Sequence, residues 1–386
     1  MITVVADDIT GAAEIAGVCL RYGLKVIFGI DSVPNEMTDI RIIATDSRSV
    51  TENEAYSIHK RLAEEIYNDT DAFVFKKCDS VLRGFVLTEL IALMDVTGKT
   101  SVLLQPANPA TDRCIRDGIY YVANEKIENT GFSNDPDFPA IESEVRNLLL
   151  QRCAYKRNAI EVFIGLITKI RHKGIFIPDC SSIEELQKCC ELQGDNSLIC
   201  GSAAFFEQFL LYNKIGNQEI KPFQFSITSN YLMICGSTHS QSRQFLDKMT
   251  SSGCPVLYFP TSILQEYVTD EVIISWATEL YSIWGKNRKL IVAISTDNIY
   301  YPKSSAILKS RMNLIVYEIL RRCDINEIFI EGGATAYGIL NLLNWKTLSP
   351  IQELNPGVVR MQVSSSPSSY LTIKPGSYHW PANMIV

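Results

Sequence analysis

ITVVADDITGAA, residues 2–13, is the stretch on which the fold prediction depends. Apolar and β-branched residues run into two adjacent carboxylates, Asp7 and Asp8, and small residues that suit a helix start follow. A buried strand that ends in acids places them at the carboxyl edge of a sheet, where open α/β sheets bind ligands. Because neighbouring like charges repel, such a pair favours a nearby cation, metal or hydroxylated ligand. A helix N-cap at Asp8 or Thr10 explains the same residues about equally well.

The composition excludes several classes of protein. A net charge of −7 over 386 residues argues against a nucleic-acid-binding protein, which normally has a basic face. No apolar run reaches the ~18 residues of a membrane span, and no basic and apolar leader opens the chain. The eleven cysteines include no C-x-x-C pair, so we expect reduced thiols, no zinc site and a cytoplasmic location.

Strands and helices alternate through the first half of the chain. This alternation predicts an α/β fold with a largely parallel sheet and helices on both of its faces. Residues 120–139 lack a period, so we expect an irregular loop there that carries Asp135 towards the sheet edge. After the opening strand, the predicted strands are 25–30, 39–44, 72–76 and 101–105, and the predicted helices are 12–22, 52–67 and 85–94.

Polar side chains follow four of these strands. They are Asp7 and Asp8 after the first, Asp46 and Arg48 after the third, Lys77, Asp79 and Arg83 after the fourth, and Asn108 and Arg113 after the fifth. Any one group is more often a cap or a surface ion pair, but four groups at one edge indicate a shared crevice. Arginine binds carboxylate or phosphate, and aspartate accepts hydrogen bonds from hydroxyls. The mixture therefore favours a small polyhydroxy acid as ligand.

The second half repeats the α/β pattern after a polar segment at 214–229. We therefore predict two α/β domains, 1–213 and 230–386, with an interdomain cleft. In the second, CGSTHSQS at 235–242 and IEGGATA at 330–336 each place glycine and hydroxyl residues between a strand and a helix. Backbone N–H groups at such turns bind phosphate. Either turn alone is more often structural, but the two together with Gly376 favour a nucleotide site.

Histidines and tryptophans add little to this prediction. His59 and His172 have the sequence setting of surface residues, and His239 and His379 receive no catalytic role. Trp380 is interpreted as a core or rim residue that could border a nucleotide.

The ordered motifs VVADDITGAAEIA, TDSRS, KKCDSVLRG, PANPATDR, ICGSTHSQSRQ, IEGGATA and LTIKPGS resemble the four-carbon acid sugar kinase family. The resemblance implies an N-terminal domain that binds the sugar acid and a C-terminal domain that binds ATP. It implies transfer of phosphate to the 4-hydroxyl of a 3-oxo-tetronate, threonate or erythronate, with Mg²⁺ as a further requirement. The partners expected are these small molecules and a second copy of the chain, with no nucleic acid and no membrane.

The motifs also imply roles for individual residues. The catalytic candidates are Asp8 and Asp79. The substrate-binding candidates are Asp7, Asp46, Arg48, Lys77, Arg83, Asn108 and Arg113. The nucleotide-binding candidates are Ser237, Ser240, Gly332, Gly333, Ala334, Thr335 and Gly376, and no metal ligand is assigned.

One departure from the family pattern keeps an alternative open. Ala334 stands where the G-G-x-T turn commonly carries an acid, which favours a sugar-acid sensor or degenerate kinase that binds without catalysis. A dehydrogenase on a similar scaffold is a third hypothesis, but two aspartates after the first strand would repel a pyrophosphate, and the dinucleotide fingerprint is missing there.

Overall fold

A computed structural model gives the fold for residues 1–69, 73–135, 137–155, 160–194, 196–217, 230–264, 268–295, 304–381 and 384. The chain packs into two compact units, Met1–Lys25 with Asp31–Ile220, and Val26–Ile30 with Lys221–Val386. Each unit combines helices with a largely parallel sheet, which confirms the predicted α/β class. Most of the predicted linker 214–229 lies outside the described residues, so the predicted domain boundaries stay a prediction.

Along the first part of the chain, the elements are β1 (Ile2–Ala6), α1 (Ile9–Arg21), β2 (Val26–Ile30), β3 (Ile40–Ala44), α2 (Glu52–Asp69), β4 (Phe73–Lys77), α3 (Val86–Thr97), β5 (Ser101–Gln105), β6 (Arg113–Arg116), β7 (Ile119–Val122), β8 (Glu125–Lys126), α4 (Val145–Leu150), β9 (Val162–Gly165), β10 (Gly174–Pro178), α5 (Ile183–Cys190), β11 (Ser197–Gly201) and α6 (Ala203–Tyr212). The later elements are β12 (Tyr231–Cys235), α7 (Ser240–Ser251), β13 (Val256–Tyr258), α8 (Asp270–Asn287), β14 (Lys289–Ala293), α9 (Ser304–Leu320), β15 (Glu327–Glu331), α10 (Gly333–Leu342), β16 (Thr347–Asn355), β17 (Val358–Val363) and β18 (Ser366–Lys374). None of the helices within the described residues has the length and apolarity that crossing a membrane would need.

The first unit is built on parallel strands in the order β3-β1-β4-β11-β5-β10-β9. Every residue of β1 is buried, as expected for a strand covered on both faces. The last residue of β1, Ala6, pairs with Ala44 of β3 and with Lys77 of β4. Because these three strands end level with one another, the segments that follow them begin at the same edge of the sheet.

A small antiparallel sheet, β6-β7-β8, occupies part of the region predicted to be an irregular loop. Arg116 and Ile119 pair across a two-residue turn in which Asp117 and Gly118 both have positive φ angles. Asp-Gly is a strong hairpin signal, because this turn type favours the left-handed conformation at both positions. The prediction for 120–139 was therefore wrong at its start, and the signal that would have corrected it is in the sequence.

The second unit has the parallel order β13-β14-β12-β15-β18 and continues as an antiparallel β18-β17-β16 meander. The strand prediction missed β16 and β17. In β16, the buried positions include Pro350 and Gln352, so the sequence shows no apolar alternation there. β2, from the N-terminal part of the chain, pairs antiparallel with β16 through Phe28 and Leu348. A strand signal identifies the strand but not its partner, so this pairing could not be predicted from the sequence.

Gly201 lies where two strands and a helix approach closely at the end of β11. A Cβ atom there would contact the Gln105 carbonyl oxygen and lie 2.6 Å from the Phe205 ring. Gly131 has no neighbouring atom within 4 Å of such a Cβ. Neither glycine has a positive φ angle, so alanine at the two positions differs mainly in the space that it needs.

Gly201→Ala should lower the free energy of unfolding by about 1–3 kcal/mol, because overpacking forces the backbone of β5 or the Phe205 ring to move. Gly131→Ala is the matched control and should change it by less than about 0.5 kcal/mol. Urea unfolding of both variants measures the difference. Equal stability of the two variants would contradict the close packing at Gly201.

Candidate functional site

Arg48 lies at the centre of a group of three carboxylates at the edge of the first sheet. Its Nε donates to Asp7 Oδ2 at 2.7 Å, and its Nη2 donates to Asp8 Oδ1 at 3.1 Å. The same Nη2 is 3.7 Å from Asp79 Oδ1. The acids follow β1 and β4, and Arg48 lies in the short 3-10 turn after β3. Three of the predicted polar groups therefore meet, as the level strand ends lead us to expect.

Charge keeps two of these carboxylates ionised despite their burial. Burial alone would raise the pKa of Asp7, but Arg48 and the nearby lysines outweigh it and lower that pKa. Burial would likewise raise the pKa of Asp79, and the positive charges of Arg83 and Arg48 hold it well below its usual range. Asp7 and Asp79 are therefore ionised at neutral pH.

Gly84 allows Arg48 to take this position. It has a φ of +87°, and a Cβ atom there would lie 3.0 Å from Arg48 Cγ and 3.7 Å from Asp7 Oδ2. A side chain would be strained in this conformation and would also press on the guanidinium stem. The Gly84 of the D-S-x-x-R-G motif thus has a steric role in the site.

A second group of charges surrounds Phe132 in the loop that carries Asp135. Arg83 makes two side-chain hydrogen bonds to Asp79, at 2.8 and 3.0 Å, and lies 3.3 Å from Asp135 Oδ2. The guanidinium groups of Arg83 and Arg113 lie 5.8 and 5.5 Å from the centre of the Phe132 ring. The loop therefore brings Asp135 to the site, as predicted from the sequence.

Three buried polar atoms at this edge have no hydrogen-bond partner among the described residues. They are Asp7 Oδ1, Asn108 Oδ1 and Arg113 Nε. Buried polar atoms are normally paired, and leaving one unpaired costs about 1–3 kcal/mol. Two acceptors and one donor near the cluster are suited to a ligand that carries both hydroxyl and carboxylate groups.

A buried network behind Asp7 was missed by the sequence analysis. Glu89 is fully buried and lies 2.8 Å from Lys76 Nζ and 3.6 Å from His59 Nε2, and it accepts a 2.6 Å hydrogen bond from Ser47. His59 was predicted at the surface, which is wrong, since its side chain is fully buried. Burial is the main cause of the lowered pKa of His59, although the Glu89 charge opposes it. Its position on the apolar face of α2, four residues after Ala55, was the available signal.

Two predicted residues have other contacts. Asp46 accepts a 2.9 Å hydrogen bond from Ser49 of its own turn. Lys77 Nζ donates to the Cys78 carbonyl at 2.8 Å and lies 3.8 Å from Glu14. Lys77 is also one of the positive charges that lower the pKa of Asp7. The substrate roles of Asp46 and Lys77 stay predictions.

In the second unit, three turns converge at the carboxyl ends of β12, β15 and β18. A Cβ atom on Gly236 would lie 3.2 Å from Thr335 Cβ, and one on Gly376 would lie 2.6 Å from Ser237 Oγ. The helices α7 and α10 begin at Ser240 and Gly333, directly after these turns. We call the three turns, 236–240, 332–335 and 374–376, the cradle. It contains every residue predicted to bind the nucleotide.

Glu331 contacts residues in or next to the segments of the cradle. Its buried carboxylate accepts hydrogen bonds from Ser242 Oγ and from Trp380 Nε1, the latter at 2.9 Å, and lies 3.3 Å from Lys374 Nζ.

The side chain of Ala334 in the cradle offers no oxygen ligand for a metal ion. Within the described residues, no group of three or more His, Cys, Asp and Glu side chains could hold a metal ion.

Comparison with known proteins identifies the family. The family model described as the sugar-binding N-terminal domain matches residues 2–209, more than half of the chain. The chain belongs to the four-carbon acid sugar kinase family. The resemblance found in the ordered motifs is confirmed.

Curated relatives of this family carry kinase names. The chain is 21% identical to a D-threonate kinase of Salmonella typhimurium over 88% of the chain and 86% of that protein. It is 30% identical to a 3-oxo-tetronate kinase of Haemophilus influenzae, in an alignment of 39% of the chain and 38% of the relative. A D-erythronate kinase of Heliobacterium modesticaldum is 29% identical over 38% of the chain and 35% of its own length.

Solved structures support the fold of this family member. A protein from Salmonella typhimurium LT2 aligns with a TM-score of 0.78 at 17% identity, over 98% of this chain and 96% of that one. A Haemophilus influenzae protein of the DUF1537 family aligns with a TM-score of 0.71 at 16% identity, over 98% and 97% of the two chains. At such identities the likeness concerns the fold alone.

Arg48→Met should lower the free energy of unfolding by about 3–5 kcal/mol at neutral pH, because buried carboxylates would lose their shared cation. The lowered pKa of Asp7 contributes stability above the unfolded value of about 3.9, and this is lost as the pH falls through the folded pKa. Without Arg48, the pKa of Asp7 rises and protonation relieves the repulsion. The stability deficit of Arg48→Met should therefore shrink from about pH 7 to about pH 4 in urea unfolding.

Arg21→Met is the control for this measurement. Arg21 forms a partly exposed ion pair with Glu207 at 3.1 Å, away from the cluster. Its loss should cost less than about 1 kcal/mol, with little change over the same pH range. A deficit for Arg48→Met that is independent of pH would show that the cluster is not held by charge.

Proposed function

We propose that this chain is an ATP-dependent kinase that phosphorylates the 4-hydroxyl of a four-carbon sugar acid of the 3-oxo-tetronate, threonate or erythronate type. The observation that carries the proposal is the cluster of Asp7, Asp8 and Asp79 around Arg48, in which Asp7 Oδ1 has no partner among the described residues. The kinase names of the relatives support the same reaction class. The carboxylates and arginines of the site agree with a reaction whose acceptor carries hydroxyl and carboxylate groups.

The substrate would bind through complementary polar groups. Arginine suits the carboxylate, and the candidates that hold it are Arg83 and Arg113, which both lie near the Phe132 ring. Asp7 Oδ1 and Asn108 Oδ1 are acceptors that would receive substrate hydroxyls. Arg48 and Arg83 are both bound to acids, but the Arg48 side chain is 15% exposed and that of Arg83 is 32% exposed. We therefore assign Arg48 the role of keeping Asp7 and Asp8 in place.

Of the two predicted bases, Asp8 is better supported than Asp79. Asp79 accepts three hydrogen bonds from Arg83 and has a pKa held well below its usual range, which makes it a weak base. Asp8 also accepts three hydrogen bonds, from Arg48, from the Thr10 hydroxyl and, at 3.0 Å, from the Gly11 amide of α1, but its side chain is partly exposed. We propose that Asp8 orients the attacking hydroxyl and accepts its proton, while Asp79 positions Arg83.

The cradle would bind the phosphates of ATP. The first amides of α7 and α10 and the hydroxyls of Ser237, Ser240 and Thr335 are suitable donors. Phosphoryl transfer depends mainly on positioning and on stabilisation of charge, which such donors supply. We keep Mg²⁺ as a predicted requirement and assign it no ligand. The cytoplasmic location and the homodimer also stay predictions.

The Asp8→Asn variant should reduce kcat about 10²- to 10⁴-fold, because the general base is lost while the N-cap is kept. Arg83→Ala should mainly raise KM by weakening carboxylate binding. Formation of ADP with D-threonate, D-erythronate and 3-oxo-tetronates measures both, with ³¹P NMR to locate the phosphate on the product. Arg21→Ala, on the Glu207 pair outside the site, is the control and should behave as wild type. An absence of ADP formation with every tetronate would contradict the kinase.

Ala334 gives one reason to consider a second function. Without an acid in this turn, the chain could bind sugar acids as a sensor and not transfer phosphate. Calorimetry with the same tetronates distinguishes the two functions: tight binding without ADP formation supports the sensor, and ADP formation excludes it.

A further inference from the structure

Arg152 follows α4 and connects two separate segments of the first unit. Its Nη1 donates to the Leu82 carbonyl at 2.8 Å, and its Nη2 donates to the Phe138 and Pro139 carbonyls, both at 2.9 Å. The same guanidinium lies 5.4 Å from the centre of the Phe138 ring. All three acceptors are backbone oxygens, so these bonds hold main chain in place and do not neutralise an acid.

The first of the two segments carries Arg83. The Leu82 carbonyl and the Arg83 amide belong to one planar peptide group. Arg152 binds the oxygen of this group, and Asp79 Oδ2 accepts a 3.1 Å hydrogen bond from its N–H. Leu82 has a φ of +59°, a conformation that leucine keeps only where the surrounding structure holds it. The two hydrogen bonds therefore fix the plane from which the Arg83 side chain starts.

The second segment holds Asp135 against Arg83. Asp135 Oδ1 accepts hydrogen bonds from the amides of Asp137 and Phe138, at 3.1 and 2.8 Å. Its Oδ2 lies 3.3 Å from Arg83 Nη1. Because the Phe138 carbonyl is bound to Arg152, the residue that fixes the Asp135 carboxylate is itself held by the same guanidinium.

These contacts form a closed ring. It runs from Arg152 through the Leu82 peptide to Arg83, on to Asp135, and through Phe138 back to Arg152. Arginine suits this position because its planar fork directs separate nitrogens at the two segments. Removing Arg152 opens the ring and frees the two segments to move relative to each other.

The backbone that presents Arg152 is anchored independently of the ring. Ala154 and Tyr155, shortly after Arg152, each donate a 3.0 Å backbone hydrogen bond to the carboxylate of Glu52, the first residue of α2. Cys153 between them is buried. The guanidinium is therefore placed by the helical layer of the first unit and not by the segments that it binds.

We propose that Arg152 is a positioning residue of the sugar-acid site, which sets Arg83 and Asp135 in the arrangement that receives the substrate carboxylate. The assignment rests on the proposed function, in which Arg83 is a candidate for binding that carboxylate, and it adds a residue that lies outside the sequence motifs. Arg152 does not touch the substrate but acts through Arg83. Its loss should therefore weaken sugar-acid binding and leave nucleotide binding unchanged.

Arg152→Met tests this role by removing the three hydrogen bonds while keeping an unbranched side chain. In calorimetry with the full chain, D-threonate and D-erythronate should bind to the variant at least about tenfold more weakly than to wild type, with unchanged stoichiometry. ADP should bind to both proteins within about twofold. Circular dichroism checks the fold.

Arg146→Met is the matched control for this variant. Arg146 lies on α4 and donates to the carbonyl of Val162 in β9 at 2.5 Å, so it also binds main chain, but outside the ring. Its loss should leave the affinities for both sugar acids and for ADP within about twofold of wild type.

A double-mutant cycle with Arg83 separates positioning from a general loss of structure. In an Arg83→Ala background, Arg152→Met should change the D-threonate affinity by less than about twofold, because the group through which Arg152 acts is gone. A general loss of structure would lower the binding stoichiometry or the ADP affinity instead. Effects of the two substitutions that multiply in the double variant would overturn the inference.

The outcomes also separate this inference from the proposed function. If Arg152→Met binds the sugar acids as tightly as wild type, and wild type forms ADP with a tetronate, the positioning role falls and the kinase stands. If wild type binds neither sugar acid and transfers no phosphate, the proposed function and the positioning role fall together.

Discussion

The first unit depends on one interaction, the contact of Arg48 with three carboxylates at the end of a parallel sheet. Level strand ends bring Asp7, Asp8 and Asp79 within reach of each other, where their repulsion would be costly without a shared cation. Arg48 supplies that cation, and Gly84 leaves the space that its stem requires. The same arrangement keeps Asp7 and Asp79 ionised and therefore able to accept hydrogen bonds from a hydroxylated ligand.

Each unit contains a buried carboxylate that connects the segments of its site. In the first, Glu89 joins Lys76 of β4, His59 of α2 and Ser47, which precedes Arg48. In the second, Glu331 joins the start of α7, the end of β18 and Trp380. Neither carboxylate faces a ligand in this account. Buried ion pairs of this kind add little net stability, but removing one partner is costly, so they hold loops in one arrangement.

The sequence predicts the edge of the site better than the buried contacts behind it. Asp7, Asp8, Arg48 and Asp79 could be placed together because parallel strands end at one edge, which is a property of the whole sheet. The burial of His59 could not be predicted with the same ease, because it depends on Glu89 and Lys76 supplying charge inside the core.

Two features of the fold differ from the sequence-based expectation or lie beyond it, the hairpin at Asp117-Gly118 and the pairing of β2 with β16. The first has a local cause and the second a long-range cause. Asp117-Gly118 is a local hairpin signal, and it contradicts the irregular loop predicted next to it. The pairing of β2 with β16 involves residues more than 300 positions apart, and no local pattern specifies it. Asp46 and Lys77 follow β3 and β4, whose ends form the site. The sequence does not show that Asp46 accepts a hydrogen bond from Ser49 or that Lys77 donates one to the Cys78 carbonyl.

A crystal structure of the chain with D-threonate bound is the most direct test of the central claim. The account predicts that the sugar acid lies at the edge of the first sheet, with its hydroxyl and carboxylate groups hydrogen-bonded to Asp7 Oδ1, Asn108 Oδ1 and Arg113 Nε. Density for the ligand elsewhere, with these three atoms still unpartnered, would contradict it.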